Sequence, residues 1–255
     1  IMPSLVGSEM CIRDRLVTLQ GIPMPLPLLL FDCDGTLVDS EPLLAEEMAR
    51  GLNTVGLPFA SSDYLGEFRG ARFRRIVAEL QTRYGEVDAD RLNRMEQTMR
   101  ANLADRLANE LTTIPGARES LDALSRYPSA VVSNGPETKI RTALNATGLS
   151  HYFAHRLFSG YTANCWKPEP CLHLHAASIM GFAAKDCIAI DDALVGVQAA
   201  LQAGMTVIHL NRFPDAEATP EGAIMISNMY QLPAVVEQLT HERWQAAMLH
   251  HSTEK

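Results

Sequence analysis

The sequence predicts an α/β protein, a doubly wound parallel sheet with an all-helical domain inserted after the first strand. Three observations predict it. Short apolar, β-branched runs recur at strand length through the second half of the chain, and segments of crossover-helix length lie between them. The stretch 42–112, by contrast, carries helical periodicity and no strand signal.

The first strand is Leu28 to Phe31, a continuous apolar run between Pro27 and a turn at Gly35, which reads as a central strand buried on both faces. "SAVVSNG" (129–135), "DCIAIDD" (186–192) and "MTVIHL" (205–210) follow the same grammar, and "HRLFSG" (155–160) is a weaker fifth strand. Helical patterns over 136–148, 168–180 and 194–203 supply the crossovers. In the insert, Phe73, Ile76, Val77 and Leu80 mark one apolar stripe, and Leu92, Met95, Met99, Leu103 and Leu107 a longer one. Gly56 and Pro58 break its helices, and Pro115-Gly116 marks the return to the sheet. The expected organisation is a core of 23–41 and 113–240, a helical insert of 42–112 and a C-terminal tail of 241–255. Residues 1–22 open with "IMPSLVGSEMCIRDR", which lacks periodicity and resembles translated sequencing-adapter read-through; they are expected to be a non-native or disordered leader.

Composition bounds the function. At 255 residues the chain has room for one large domain, or one domain and an insert; 47% hydrophobic and 20% charged residues are ordinary for a globular protein. A net charge of -8 argues against a nucleic-acid surface, so an anionic small molecule would need a local cluster of cations or a metal. Cys11, Cys33, Cys165, Cys171 and Cys187 are odd in number and unevenly spaced, which suggests no disulfide framework and a reducing, cytoplasmic setting. No stretch approaches the ~18–20 apolar residues of a membrane span, so no membrane association is expected.

Ligands of open α/β sheets bind beyond the carboxyl ends of the strands, where the strand order reverses. Four polar groups fall at such ends: Asp32 with Asp34, Ser133 with Asn134, Lys167, and Asp191 with Asp192. Carboxylates gathered closely repel one another unless a cation sits among them, and a few hard oxygen ligands suit Mg²⁺. Lys167 and the Ser133 hydroxyl add a positive charge and a donor, which suits a dianionic phosphoryl group. Each group has a plainer reading alone: a turn at Asp32 to Gly35, a helix cap at Asp191 and Asp192, a strand end at Ser133, an exposed Lys167. Their joint occurrence disfavours all four. Cys33 alternates away from its neighbours and reads as a small buried hydrophobe.

"DCDGT" with "LVDSE", then "VVSNG", "WKPEP" and "IDDALVGVQAALQAGM" resemble the four motifs of the haloacid dehalogenase superfamily, in order, over residues 27 to about 212. The resemblance implies a Rossmann-like core, a helical cap and a phosphoryl-transfer site. It makes Asp32 the nucleophile that forms an aspartyl-phosphate, and Asp34 the general acid and then base. It assigns Mg²⁺ to the Asp32 carboxylate, the Asp34 carbonyl and Asp192, with Asp191 helping through water. Ser133, Asn134 and Lys167 would hold the phosphoryl oxygens. Asp34 and Thr36 match the phosphatase form, and Leu44 stands where the β-phosphoglucomutases carry a histidine, so water is the expected acceptor. In the cap, "EFRGARFRR" (67–75) offers a turn at Gly70 and two arginines, Arg69 and Arg72, for a second anionic group; Arg74 and Arg75 read as a solvated face. Ala193 replaces the serine usual after the acidic pair, which is expected to soften metal binding.

The branch most similar comprises bacterial phosphatases of 6-phosphogluconate and related sugar phosphates. The implied activity is Mg²⁺-dependent hydrolysis of a small phosphate monoester, a sugar phosphate or phosphorylated sugar acid. Alternatives are an isomerising phosphotransferase on hexose phosphates and a non-catalytic phosphometabolite-binding protein. The implied partner is a small phosphate ester, with no nucleic acid and no membrane.

Overall fold

The computed structural model describes residues 26–68, 71 and 73–253; the expected leader 1–22 lies outside them. Six parallel strands form one sheet in the order β3-β2-β1-β4-β5-β6: β1 Leu28–Phe31, β2 Ser129–Ser133, β3 Leu157–Ser159, β4 Cys187–Asp191, β5 Thr206–Leu210 and β6 Ala223–Ile226. The order reverses between β1 and β4, which places the ends of these two strands side by side.

Alternation along each strand feeds two cores. Leu29, Phe31, Val131, Ile188, Ile190 and Ile208 face one cluster, and Leu28, Leu30, Ala130, Val132, Ala189 and Val207 the other. Both faces are therefore covered, as a parallel sheet requires.

Between β1 and β2 run the cap helices α1 Glu41–Thr54, α2 Phe73–Tyr84 and α3 Ala89–Asn109. Met48, Leu52, Ile76, Leu80, Met95 and Met99 make a separate buried cluster there. The long α3 stripe is divided: Leu92, Met95 and Met99 serve the cap, whereas Leu103 and Leu107 pack on the core. The return to the sheet passes through α4 Ala117–Ala123, entered from Gly116 at φ +85°. The crossovers are α5 Glu137–Ala146, α6 Cys171–Met180 and α7 Leu194–Gln202.

Three expectations need correction. The strand β6 is additional: "AIMI" is only four residues long, and its pairing with β5 rather than its pattern makes it a strand. Residues 241–253 are not a tail but the second half of α8 Leu232–Thr253. Leu232 and Val236 bury its start, and beyond residue 240 Arg243 Nη2 donates to the Cys187 carbonyl (3.2 Å) and Thr206 Oγ1 (2.6 Å). Finally, Cys165 and Cys171 are disulfide-bonded, with Cα atoms 6.1 Å apart. The turn between them folds back, Glu169 N donating to the Trp166 carbonyl, and brings together two cysteines whose spacing carried no such signal. Cys33 and Cys187 are buried thiols, Cys33 in the sheet core as expected.

Candidate active site

The site starts where β1 ends. The Asp32 amide donates to the Ile190 carbonyl of β4 (2.9 Å), which carries the strand pairing one residue past Phe31 and fixes where the Asp32 side chain emerges. The chain then reverses tightly, Leu37 and Val38 both donating to the Cys33 carbonyl. Gly35 makes this possible: its φ is +88°, and a Cβ there would overlap the Asp192 carboxylate. Thr36, on the same turn, donates from Oγ1 to Asp192 Oδ1 (3.0 Å).

At the end of β4, Asp191 accepts from the Ala193 amide at Oδ1 (2.9 Å) and from Lys167 Nζ at Oδ2 (2.7 Å). Gly196 in α7 leaves room for this carboxylate, which a Cβ would overlap. The Lys167 ammonium also donates to Asp32 Oδ1 (2.7 Å), so one buried cation bridges the acids of two neighbouring strands. Its backbone is clamped from β2: Lys167 N donates to Asn134 Oδ1 (2.8 Å) and Asn134 Nδ2 to the Lys167 carbonyl (3.1 Å). Asn134, expected at the phosphoryl group, thus spends its amide on holding the lysine. Ser133 is buried and accepts from the Gly135 amide (3.1 Å), which leaves its own O–H as a donor.

One carboxylate oxygen from each of Asp32, Asp191 and Asp192 lies within 4.8 Å of the others. Burial pushes Asp32 up to about 7, with Asp191 adding to the rise and Lys167 opposing it. Burial, then Asp32 and Asp191, hold Asp192 well above the usual carboxylate range. Burial works to neutralise Lys167, yet Asp191 and Asp32 outweigh it and keep the ammonium charged. Three acids against one ammonium leave two negative charges when all are ionised, and small hard oxygen donors in this number fit a divalent cation. The residues present therefore suit a metal.

Asp34 stands apart from this cluster. Its carboxylate accepts from Ser40 Oγ (2.7 Å) and Lys139 Nζ (2.8 Å). Burial would raise it, but Lys139 and the two hydrogen bonds prevail and hold it below the ordinary range. Lys139 and Ser40 were missed from sequence. The signal for Lys139 is its place: a lysine in the first turn of α5 opposes the helix dipole, so a carboxylate partner is to be looked for there.

Beside Asp34, a cavity of about 580 Å³ opens between cap and core, lined by Ser40 and Leu44, by Arg100 and Leu107 of α3, and by Lys139 and Thr142 of α5. Arg69, Gly70 and Arg72 lie outside the described residues, and Arg74 and Arg75 are exposed.

Fold and site together define a haloacid dehalogenase-like hydrolase, whose family model matches residues 26–204, and the chain belongs to this family. Over 179 residues it is 35% identical to the 6-phosphogluconate phosphatase of Escherichia coli (strain K12), covering 70% of this chain and 80% of that one. A solved structure described as a predicted phosphoglycolate phosphatase from Haemophilus somnus superposes with a TM-score of 0.73 at 26% identity, covering 82% of this chain and 97% of that one. A HAD family hydrolase from Deinococcus radiodurans, solved with bound phosphate and sodium, gives 0.71 at 27% identity, covering 85% and 98%. Among the described residues no helix is long and apolar enough to cross a membrane.

Proposed function

We propose that this phosphoric monoester hydrolase uses Mg²⁺ to hydrolyse a sugar phosphate or phosphorylated sugar acid through an aspartyl-phosphate on Asp32. The single observation that carries the reading is the Lys167 ammonium, 2.7 Å from the acids of both β1 and β4. A lysine so placed opposes protonation of a buried nucleophilic carboxylate and sets a cation beside the phosphoryl oxygens. The E. coli relative named for 6-phosphogluconate supports the substrate class.

Mg²⁺, held by Asp32, Asp192 and the Asp34 carbonyl with Asp191 through water, would neutralise charge on the phosphoryl group. An Asp32 oxygen attacks phosphorus and the bond to the leaving alcohol oxygen breaks. Asp34 delivers its proton to that oxygen; the approaching dianion offsets Lys139 and favours the protonated acid. Asp34 then takes a proton from water, which attacks phosphorus and frees Asp32. The Ser133 hydroxyl donates to a phosphoryl oxygen. Leu44, apolar and at the cavity wall, has no group to orient a sugar hydroxyl or take its proton, which supports water as acceptor.

The test is a phosphate-release screen over sugar phosphates, 6-phosphogluconate, phosphoglycolate and nucleotides, with and without Mg²⁺. Release from sugar phosphates or phosphorylated acids that stops with EDTA is expected, and a hexose 1-phosphate should yield free phosphate rather than its 6-phosphate isomer. Thermal stabilisation by these esters without any release would refute the reading.

A further inference from the structure

We infer that Lys139 of the core and Arg100 of the cap form a subsite for a carboxylate on the leaving alcohol, so that the substrates are phosphate esters of hydroxy acids. This rests on the phosphatase reading and names the chemical class it acts on.

The cavity beside Asp34 is where a leaving group must lie, because the group that protonates the leaving oxygen stands at its edge, bonded to Ser40 and Lys139. Among the described residues its lining carries two cations, Arg100 and Lys139, and no acid. At about 580 Å³ it has the size of a small-metabolite pocket. In a chain of net charge -8, two cations facing one cavity oppose the general field and select for negative charge.

Both cations have donors to give. An ammonium carries three N–H groups, and the Asp34 carboxylate at 2.8 Å takes one from Lys139, whose side chain is partly exposed. Arg100 donates from Nε and Nη2 to the same oxygen of Glu96, one turn back on α3, in an exposed i,i+4 pair of the kind that contributes little. Its remaining N–H groups suit a carboxylate. The two residues sit on opposite walls: Lys139 on a helix that follows β2, Arg100 on the part of α3 between the cap cluster and the core. A ligand carboxylate between them would tie cap to core, leaving the neutral wall of Leu44, Leu103 and Leu107 to the carbon chain.

The experiment compares 6-phosphogluconate with glucitol 6-phosphate, which has the same carbon chain but an alcohol in place of the carboxylate, and uses p-nitrophenyl phosphate as reference. Wild type is expected to favour the acid by about tenfold or more in kcat/KM, the worth of one charge-assisted hydrogen bond. Lys139→Met and Arg100→Met should each cut that ratio by about tenfold, chiefly through KM for the acid, and Lys139→Arg should keep most of it. The ratio cancels any effect of Lys139→Met on Asp34, and Arg100→Met touches no reacting group. Mg²⁺-dependent release from p-nitrophenyl phosphate with no preference for the acid, or a preference unchanged in both Met variants, would overturn the subsite and leave the phosphatase standing. No release from any of the three esters would overturn the phosphatase reading and the subsite with it.

Discussion

Lys167 is the residue on which most of the site leans. Its side chain is 3% exposed and that of Asp191 2%, while Asp32, at 13%, keeps only a small opening to water. Removing a partner from such a pair strands a buried charge, which costs about 3–5 kcal/mol. Lys167→Ala is therefore expected to destabilise the metal-free protein by about that amount in urea unfolding at neutral pH, and to lower kcat for any phosphate ester by about a thousandfold or more. Added Mg²⁺ should restore part of the stability and little of the rate, because it replaces the charge but not the donor aimed at Asp32. A variant as stable as wild type would contradict the bridging role. At position 193, the bond to Asp191 comes from the backbone amide, which alanine supplies as well as serine.

At the scale of elements, the turn after β1 shows how local backbone chemistry sets the distance between acids. Gly35 lies at φ +88° and its absent side chain is where the Asp192 carboxylate sits. Gly35→Ala is expected to cost at least about 1–2 kcal/mol for the left-handed backbone alone. It should also weaken Mg²⁺ affinity by about tenfold, since Asp192 and its Thr36 partner must move. Isothermal titration with Mg²⁺ and a melting curve check both; an unchanged affinity would show that Asp192 is not a ligand. The strands β1, β2, β4 and β5 were legible because burial on both faces leaves a continuous apolar run. Asp32, Asp191 and Ser133 drew notice because they stand at the ends of those runs, and Lys167 because it follows the weaker strand β3. The strand β6 and the disulfide were not: each depends on a partner brought near by the fold, and four apolar residues or two cysteines do not name that partner. Lys139 was hidden for the same reason, since its carboxylate lies 105 positions away. The division of the α3 stripe between cap and core was also unreadable, because periodicity gives the face of a helix and not what covers it.

Taken whole, the molecule sets a parallel sheet and its cap around a knot of negative charge, and its stability should report that charge. Asp32 titrates near 7 in place of its ordinary 3.8, and Asp192 well above the same value. A carboxyl raised in this way favours the fold fully below its unfolded pKa, and that contribution is lost as pH rises through the folded value. Between about pH 4 and pH 7 the metal-free protein should thus lose stability as the acids ionise. Metal needs the ionised acids, so the rise in Tm with Mg²⁺ is expected to be several degrees larger at about pH 8 than at about pH 5, measured by calorimetry. An equal rise at both would contradict the assignment of these acids.

The central claim is that acids from β1 and β4 hold one divalent ion beside a nucleophilic Asp32. The most direct measurement is the initial rate of phosphate release from p-nitrophenyl phosphate as Mg²⁺ is titrated into metal-stripped wild type, Asp192→Asn and Asp32→Asn. A single saturable Mg²⁺ dependence is expected for wild type, the same dependence shifted to about tenfold higher concentration or more for Asp192→Asn, and no turnover at any concentration for a folded Asp32→Asn. Turnover that survives removal of the metal, or that persists in Asp32→Asn, would contradict it.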